Sequence, residues 1–381
     1  MSKKRIRLLT LISYKFLPAK LGGHLAHLYF HNYISEYADS IVIGHKANDR
    51  NASEEKIKFS LLKIFKNNIL TYSQLYYLSK ILKTIKEEKI DIILCSHPYL
   101  GLLGILASRI CKKPLLTYSH NIEAERFRSL NKWWWEILFY YEKWVMKNSQ
   151  LIFFVTNEDR LWAMKNYALS DDKCIVSPFG INLTEKPIKD TKYKEVLCHQ
   201  LNVDLNTKLL YFAGSYNYHP NDEAVENILF EIYPRLSKYR NDFKILIIGK
   251  GLNEVLVKKI NETKGAVIYL GFVENINDIL YSADLMLNPM LSGGGIKTKA
   301  VEALGNNIKV VSTENGSFGL DVESCQGMVW ISTDDNWSHF AENINLALNS
   351  EIEISEKFYS YYSWKNVTRR IVDELDRLIS L

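Results

Sequence analysis

Three consecutive glycines, a lysine and a downstream glutamate in the segment Gly293–Lys297 and Glu302 have the spacing of an anion-binding loop. Pro289 ends a predicted strand, the glycines allow the backbone to approach a ligand closely, and a helix is predicted to begin near Ile296. The first N–H groups of that helix have no partner within it and face the loop, which favours a bound anion. Lys297 adds a positive charge, and the Glu302 carboxylate could accept hydrogen bonds from a ribose diol. A glycine-rich loop is a weak signal by itself, so an ordinary flexible loop is the alternative interpretation.

His120 is the second candidate for chemistry. It follows a predicted strand over residues 115–119 and precedes Asn121 and Glu123, so we expect it at the carboxyl edge of a sheet. A single histidine at such a place is more often structural than functional, and both interpretations stand at this point.

Strands and helices must position these residues, and short apolar runs alternate with longer helical patterns along the whole chain. Solid apolar runs are typical of strands in parallel sheets. The predicted strands are 6–12, 40–44, 91–96, 115–119, 151–156, 174–177, 209–213, 243–249, 266–270, 284–288 and 309–312. The predicted helices are 24–36, 74–88, 102–110, 134–147, 159–167, 222–238, 252–263, 275–282, 297–305, 337–349 and 364–379.

The alternation pauses at the polar segment 182–192, which contains Pro187. This predicts two doubly wound α/β units that are joined near residue 185. A length of 381 residues also suits two domains of ordinary size rather than one core. Ligands of such sheets bind beyond the carboxyl ends of the strands, where the loop after Pro289 and His120 are both expected.

The composition is that of a globular protein, with 47% hydrophobic and 24% charged residues. The five cysteines are scattered without a Cys-x-x-Cys pair, which argues against a zinc site or a disulfide framework and favours a reducing cytosol. No signal peptide is recognisable, and no stretch reaches the roughly 18 apolar residues of a membrane span. We therefore expect a cytoplasmic protein.

Charge is distributed unevenly about a formal net charge of +5. Residues 1–190 contain 29 Lys and Arg against 18 Asp and Glu, whereas residues 191–381 contain 19 against 25. A basic half could face an anionic lipid or a phosphorylated substrate, and an ordinary solvated surface is the alternative. No helix-turn-helix, zinc finger or RNA-binding sheet motif is recognisable, so nucleic-acid binding is not expected.

The segment 126–147 interleaves aromatic and basic residues, including Trp133, Trp134 and Trp135. Such a segment suits a lipid headgroup interface. The alternative is a helix that packs on its own sheet and leaves one face exposed. Three consecutive tryptophans cannot all face one side of a helix, so at least one should be exposed or at an interface.

With these segments identified, the chain resembles the family 4 glycosyltransferases (glycosyl transferases group 1) of the GT-B fold over nearly its whole length. The segments that carry the resemblance are Gly22-Gly23, Ser119-His120-Asn121-Ile122-Glu123, Phe212-Ala213-Gly214-Ser215, Pro220-Asn221, Ile247–Gly251, Leu270–Val273, Ala283–Pro289, Val310–Thr313, Gly319-Leu320 and Tyr362-Ser363-Trp364. The resemblance implies two Rossmann-like, doubly wound domains that face a central cleft. It places an acceptor-binding domain at 1–184, a nucleotide-sugar-binding domain at 185–362 and a helix that crosses back to the first domain at 363–381.

The resemblance also implies roles for particular residues. Catalytic roles fall on His120, Lys297 and Glu302, with His120 near the transferred sugar and Glu302 on the donor ribose. The donor-binding residues that it implies are Gly22, Gly23, Gly214, Ser215, Lys250, Val273, Gly293, Gly294, Gly295, Ile296, Lys297 and Glu302. Beside His120, we expect Glu123 and Arg126 to contact the acceptor.

Two departures from the family pattern concern the donor site. Gly294 stands where the first glutamate of the family's paired-glutamate motif is usual, eight residues before Glu302. Ser215 and Asn221 stand where many members have an arginine and a lysine. A sub-branch of the family shows similar variants, so we interpret the departures as a subtype, with an inactive relative as the alternative.

The reaction that the resemblance implies is a retaining, metal-independent transfer of a hexosyl group from a UDP- or GDP-sugar to a glycan or lipid-linked acceptor. No Asp-x-Asp pair beside a strand end and no His/Cys cluster with metal-ligand spacing is recognisable, so neither a metal nor another cofactor is expected. The expected setting is surface polysaccharide or glycoconjugate synthesis at the inner face of an anionic membrane. The alternatives are a non-catalytic partner that binds a sugar nucleotide and an epimerase of the same fold.

Overall fold

The computed structural model describes residues 5–19, 22–52, 55–66 and 75–380. Its contacts divide the chain into two compact units, residues 1–182 with 362–381 and residues 183–361. Both units are α/β with all-parallel sheets, so the predicted fold class is confirmed.

The first unit contains a seven-stranded sheet in the order β3-β2-β1-β4-β5-β6-β7. Its strands are β1 Arg7–Leu11, β2 Asp39–His45, β3 Ser60–Phe65, β4 Ile92–Ser96, β5 Leu115–Ser119, β6 Leu151–Phe154 and β7 Cys174–Val176. Its helices up to residue 182 are α1 Gly22–Ile34, α2 Tyr76–Glu87, α3 Gly101–Cys111, α4 Glu123–Ser129, α5 Trp135–Lys147 and α6 Asn157–Tyr167, with short 3₁₀ turns at Pro98–Leu100 and Asp171–Lys173. The central strands β4 and β5 are buried along their whole length, as their continuous apolar runs predict.

The second unit contains a six-stranded sheet in the order β10-β9-β8-β11-β12-β13. Its strands are β8 Lys208–Ala213, β9 Phe243–Ile248, β10 Val267–Gly271, β11 Leu285–Asn288, β12 Lys309–Thr313 and β13 Val329–Ser332. Its helices are α7 Thr191–Leu201, α8 His219–Glu226, α9 Tyr233–Leu236, α10 Glu254–Glu262, α11 Asn277–Leu280, α12 Thr298–Gly305, α13 Glu314–Ser317, α14 Val322–Cys325, α15 Trp337–Asn349 and α16 Glu356–Tyr362, with a π-helical turn at Asn227–Ile232.

The last helix, α17 Trp364–Ser380, belongs to the first unit and packs against α1. Ile181 anchors its start, because the Ile181 N–H donates to the Tyr362 carbonyl at 2.8 Å and the Trp364 N–H donates to the Ile181 carbonyl at 3.0 Å. Trp364 is buried beside Gly180, where a β-carbon would lie 2.7 Å from the Tyr362 carbonyl oxygen. Across the described residues, the helices are too short or too polar to cross a membrane.

The order of the strands reverses at two places that matter for function. β1 lies between β2 and β4, and β8 lies between β9 and β11. Connections leave in opposite directions at such a point, which opens a crevice beyond the carboxyl ends of the two strands. In the first unit this crevice follows β1 and β4, and in the second it follows β8 and β11.

Candidate functional site

The glycine loop of the second unit lines a cavity of about 220 Å³ beyond β8 and β11. The loop runs from the end of β11 to the start of α12, as the sequence predicts. The other walls come from the end of β8 and from the start of α8. The lining residues are Phe212, Ala213, Tyr218, Asn221, Met286, Asn288, Met290, Gly293, Gly294, Ile296, Lys297, Thr298 and Lys299.

Gly293 has a backbone φ of +93°, a conformation that side chains rarely adopt. A β-carbon there would also lie 2.9 Å from the Tyr218 hydroxyl. Gly294 has neither constraint, because no atom lies within 4 Å of the position of its β-carbon. The backbone conformation therefore favours glycine at Gly293, where a larger residue would also have to displace the Tyr218 hydroxyl, whereas Gly294 could carry a side chain.

Two lysines supply the positive charge of this cavity. Lys297 Nζ donates to the Gly293 carbonyl at 2.6 Å and to the Gly295 carbonyl at 3.1 Å. Lys299 Nζ donates to the Ala213 carbonyl at 2.5 Å. Burial lowers the pKa of each lysine to about 8, so both remain largely protonated at neutral pH. Neither forms an ion pair with a carboxylate in the described part of the chain, and an anion in the cavity would meet two available charges.

Glu302 lies further along α12 and is not part of the cavity lining. Its side chain is exposed to solvent, yet the surrounding protein raises the pKa of the carboxyl, and the charge of Lys299 partly opposes that shift. Burial raises the pKa of Tyr211, and the nearby charge of Glu302 adds to that shift. The carboxylate thus lies next to the cationic cavity without being neutralised by it.

The sequence-predicted donor residues outside the glycine loop and α12 do not line this cavity. Gly214 follows β8, and a β-carbon there would lie 2.9 Å from the side chain of Asn221, whose Nδ2 donates to the Ser215 carbonyl at 2.7 Å. Lys250 and Val273 lie outside the lining, with Lys250 Nζ 4.0 Å from the centre of the Phe272 ring. Gly22 and Gly23 are exposed at the start of α1 in the first unit.

His120 does not stand alone in the first unit. It follows β5 and lies among His27 of α1 and His97 after β4, with one nitrogen from each ring within 4.8 Å of the others. The ring centres of His97 and His120 are 4.2 Å apart. Tyr14, which follows β1, places its hydroxyl 2.5 Å from His27 Nε2 and 3.4 Å from His97 Nε2. We call Tyr14, His27, His97 and His120 the histidine cluster.

Burial keeps most of the histidine cluster uncharged. It lowers the pKa of His27 and of His120 well below the usual value, and the neighbouring imidazoles add to the effect. The three imidazole nitrogens lie within 4.8 Å of one another, near the roughly 3.3 Å separation of ligands in a tetrahedral zinc site with Zn–N bonds of about 2.0 Å. The expectation of a metal-free protein stays a prediction.

Glu123, the first residue of α4, is fully buried beside this cluster. Its Oε2 accepts hydrogen bonds from the Tyr99 hydroxyl at 2.6 Å and from Arg126 Nη1 at 3.0 Å, and its Oε1 lies 3.2 Å from His97 Nδ1. Burial alone would raise the pKa of Glu123, but His97, Tyr99 and Arg126 together lower it to about 2. The carboxylate is therefore ionised and engaged inside the unit, while the Arg126 side chain is half exposed.

Sequence analysis did not identify Tyr14, His27 and His97. One signal for His97 was present, because Ser96-His97 and Ser119-His120 are both Ser-His pairs in which the serine ends a predicted strand and the histidine follows it. The structure pairs those strands as β4 and β5, which brings the two histidines together. His24, His27 and His31 repeat at helical spacing, which indicates one face of α1.

A surface of exposed apolar and basic side chains covers α5 and the turn before it. Its apolar members are Leu130, Trp133, Ile137, Tyr140 and Trp144, and its basic members are Arg128, Lys132 and Lys147. Trp133 is 84% exposed while Trp134 and Trp135 are partly buried, which confirms that the three tryptophans do not share one side. We call these eight residues the aromatic–basic surface.

Comparisons with protein families match both units. A family described as Glycosyltransferase Family 4 matches residues 38–185, and a family described as Glycosyl transferases group 1 matches residues 207–350. An uncharacterized 44.6 kDa protein in the cps region of Klebsiella pneumoniae is 25% identical over 302 residues, 76% of this chain and 75% of that protein. A phosphatidyl-myo-inositol mannosyltransferase of Mycolicibacterium smegmatis is 24% identical over 63% of this chain, a match that spans only 57% of that protein.

Solved structures share this fold over nearly the whole length of the chain. A glycosyltransferase from Rickettsia africae superimposes with a TM-score of 0.73 at 16% identity and covers 99% of both chains. The Anabaena protein HepE in complex with UDP superimposes with a TM-score of 0.74 at 16% identity, over 98% of this chain and 100% of that one. These likenesses confirm the GT-B fold that the sequence motifs imply.

Proposed function

This chain belongs to the family 4 glycosyltransferases (glycosyl transferases group 1) and is a glycosyltransferase of the GT-B type, and we propose that it transfers a hexosyl group from a UDP- or GDP-sugar with retention of configuration. The observation that carries the choice of donor is the cavity beside the glycine loop. It combines the start of α12 with Lys297 and Lys299, neither of which has a carboxylate partner in the described chain.

The diphosphate of the donor fits this cavity by charge. The N–H groups at the start of α12 and the two ammonium groups would stabilise the negative charge that develops on the leaving nucleoside diphosphate. Lys297 already points its Nζ at loop carbonyls, so an oxyanion could replace those neutral partners with a charge-assisted bond. Because two lysines supply the charge, we propose that transfer requires no metal ion.

The ribose is assigned to Glu302, whose exposed carboxylate can accept hydrogen bonds from a diol. His120 is assigned to the hydroxyls of the transferred sugar, and Gly22, Gly23, Gly214, Ser215, Lys250 and Val273 to further contacts with the donor. Retention fits front-face attack in which the leaving phosphate guides the acceptor. A UDP-sugar, one of the two proposed donors, is consistent with the solved structures of HepE in complex with UDP, with UDP and glucose, or with UDP-glucose.

The acceptor is proposed to be a glycan or a lipid-linked glycan at the inner face of an anionic membrane. The aromatic–basic surface supports this setting, because exposed rings can enter the headgroup region while Arg128, Lys132 and Lys147 meet anionic lipids. A relative from a cps region and solved structures of lipopolysaccharide glycosyltransferases are consistent with a role in surface polysaccharide synthesis. Arg126, half exposed on α4, is the proposed acceptor contact nearest to this surface.

The donor assignment is tested by isothermal titration of the purified protein with UDP-, GDP-, ADP- and dTDP-sugars, followed by assays of slow donor hydrolysis. We expect binding and hydrolysis of a UDP- or GDP-sugar, and weaker binding by Glu302→Ala. The matched control is Glu226→Ala, which removes another exposed carboxylate of the same unit. Binding to none of the four donor classes would refute the proposal, and binding without hydrolysis or transfer would favour a non-catalytic partner.

A further inference from the structure

Two buried polar atoms in the first unit have only each other as a partner. His97 Nδ1 and Glu123 Oε1 lie 3.2 Å apart, within ion-pair distance, and neither makes a well-aligned hydrogen bond to any atom in the described part of the chain. Leaving such atoms unpaired in a protein interior costs about 1 to 3 kcal/mol each, and more for a charged group. The pair therefore exists as a unit, a carboxylate held against an imidazole.

The surrounding structure fixes the carboxylate in this direction. Tyr99 and Arg126 occupy the other oxygen of Glu123, which leaves Oε1 for His97. The backbone of Glu123 is held in turn, because the N–H groups of Glu123 and Ala124 donate to the Glu142 carboxyl at 3.2 and 3.0 Å. Both carboxylate oxygens and the backbone N–H of Glu123 are thus held by contacts.

The backbone of His97 is also constrained. Its φ of 66° and ψ of 160° lie in a region that residues other than glycine rarely occupy. Its N–H donates to the Tyr118 carbonyl at 3.0 Å, which ties the residue to the end of β5. Strained backbone of this kind persists where the surrounding structure over-determines it and is concentrated at functional sites.

We infer that Glu123 is a positioning residue that holds His97 with its proton on Nδ1, so that His97 Nε2 accepts a hydrogen bond from a hydroxyl group of the sugar substrate. An ionised carboxylate can only accept hydrogen bonds, so Nδ1 must carry the proton and Nε2 the lone pair. The inference rests on the proposed function; it adds His97 to the residues that contact the sugar, and it gives the buried Glu123 a positioning role in place of the expected acceptor contact.

The environment of Nε2 suits a neutral hydroxyl. Its contact in the free protein is the Tyr14 hydroxyl at the long distance of 3.4 Å, whereas that hydroxyl lies 2.5 Å from His27. The titratable and charged groups that face His97 are Tyr14, His27, Tyr99, His120, Glu123 and, through Glu123, Arg126. Phe179, 5.0 Å from His120 between ring centres, adds an apolar face of the kind that packs on sugar C–H groups. The partly exposed Tyr14 and Phe179 mark the open side of the cluster.

The first test is NMR of protein labelled with ¹⁵N-histidine. Two-bond nitrogen–proton couplings identify which ring nitrogen carries the proton. We expect the wild type to show His97 as the Nδ1–H tautomer alone, and Glu123→Gln to show both tautomers because an amide can donate as well as accept. Glu125→Gln is the matched control, since Glu125 lies on the same helix and pairs only with Arg128 among the ion pairs of the described chain. The Nε2–H tautomer in the wild type would overturn the inference.

The second test is kinetic and uses hydrolysis of whichever UDP- or GDP-sugar the protein binds. We expect Glu123→Gln and His97→Gln each to lower kcat about tenfold or more, with the KM for the donor nearly unchanged. The double variant should be no worse than either single variant, because the two residues act as one unit. Glu125→Gln should keep wild-type kcat. Two results would contradict the positioning role. One is a double variant whose loss of kcat is the sum of the two single losses in free energy. The other is a fall in melting temperature large enough to explain the loss of kcat by unfolding.

Two outcomes separate this inference from its alternatives. If no donor binds, the proposed function fails while the tautomer measurement still decides whether Glu123 positions His97. Zn²⁺ added to EDTA-treated protein tests whether the imidazoles form a metal site instead. We expect no stoichiometric binding, and tight binding that shifts the resonances of His27, His97 and His120 together would overturn the hydroxyl assignment.

Discussion

The glycine-loop cavity and the histidine cluster are built in opposite ways. The first gathers its ligand-binding groups from one short stretch, Gly293–Lys299, and relies on backbone and on two lysines. The second gathers side chains from Tyr14, His27, His97 and His120, which are far apart in sequence. A charged ligand can be held by a local motif, whereas a site for neutral hydroxyls needs several side chains that only the fold brings together.

The same physical effect gives the two regions different charges. Burial lowers the pKa of Lys297 and of Lys299 to about 8, but they start high enough to stay protonated at neutral pH. Burial lowers the pKa of His27 and His120 from a value that is already near neutrality, so they become uncharged. Desolvation thus produces a cationic cavity in one unit and a neutral cluster in the other.

The substitution with the largest expected effect is Glu142→Ala, which tests whether the histidine cluster depends on residues outside it. Glu142 makes no hydrogen bond to a histidine in the described part of the chain. Its carboxyl is buried on α5 and accepts from two N–H groups at the start of α4 and from the Tyr167 hydroxyl at 2.8 Å. Glu142→Ala leaves those donors buried without partners, so we expect the free energy of unfolding to fall by about 3 kcal/mol or more. Urea denaturation measures the loss, and ¹⁵N-histidine spectra should show His97 disturbed.

Two variants control this prediction. Glu142→Gln should be milder, because burial raises the pKa of Glu142 to about 8 and the neutral amide is close to the protonated acid. Glu136→Ala, on the exposed side of the same helix, should change stability little. A normal histidine spectrum in Glu142→Ala would show that the histidine cluster does not depend on the contacts of Glu142 with the start of α4. The cluster would then be no more dependent on distant residues than the glycine loop is.

The next effect should come from Lys297, which tests the local character of the cavity. Removing one charge-assisted hydrogen bond to a diphosphate costs about 1.5 to 3 kcal/mol, so Lys297→Ala should weaken binding of UDP or GDP by roughly 10- to 100-fold. Isothermal titration with both nucleotides measures the change. Lys258→Ala, which removes an exposed lysine of the same unit, should leave the affinity unaltered.

The pH dependence of binding gives a second view of the same residue. The bound anion favours protonated Lys297 and Lys299, so the affinity of the wild type should fall as the pH rises through about 8. Titrations at about pH 7 and about pH 9.5 suffice for the comparison. In Lys297→Ala the decline should be shallower, because only Lys299 then loses its charge. An affinity that is constant over this range would contradict a role for either lysine.

Most elements could be predicted from the sequence because the buried parallel strands are continuous apolar runs. The missed elements are the strands β3 and β13 and the helices α4, α7, α13, α14 and α16. Lys63 interrupts β3, which lies at the edge of its sheet and is only partly buried, so no continuous apolar run marks it. The helix α7 is capped by Asp190, whose carboxylate accepts from the Lys192 N–H, but this cap and the first two residues of the helix fall in the polar segment 182–192 that was interpreted as a break between the units.

The glycine loop could be predicted from the sequence, whereas the role of His97 could not. The glycines, Lys297 and the start of α12 adjoin one another in sequence, so their spacing alone indicates an anion site. His97 carries no such signal on its own, because its role depends on Glu123 and on the pairing of β4 with β5. Tertiary contacts define that part of the molecule, and sequence spacing does not report them.

The smallest expected effect is the difference in stability between alanine variants of two neighbouring glycines. It tests whether the glycines fix the conformation of the loop that lines the cavity. Gly293→Ala meets a φ of +93° and a β-carbon position 2.9 Å from the Tyr218 hydroxyl, so it should destabilise the protein by about 1 kcal/mol. Gly294→Ala meets no atom within 4 Å and should change stability by only a few tenths of that amount. Urea denaturation of the two variants compares them directly, with nucleotide titration to detect loss of the cavity. Equal stability of the two variants would mean that the loop conformation is not fixed by its glycines, and the cationic cavity would then depend on the lysines alone.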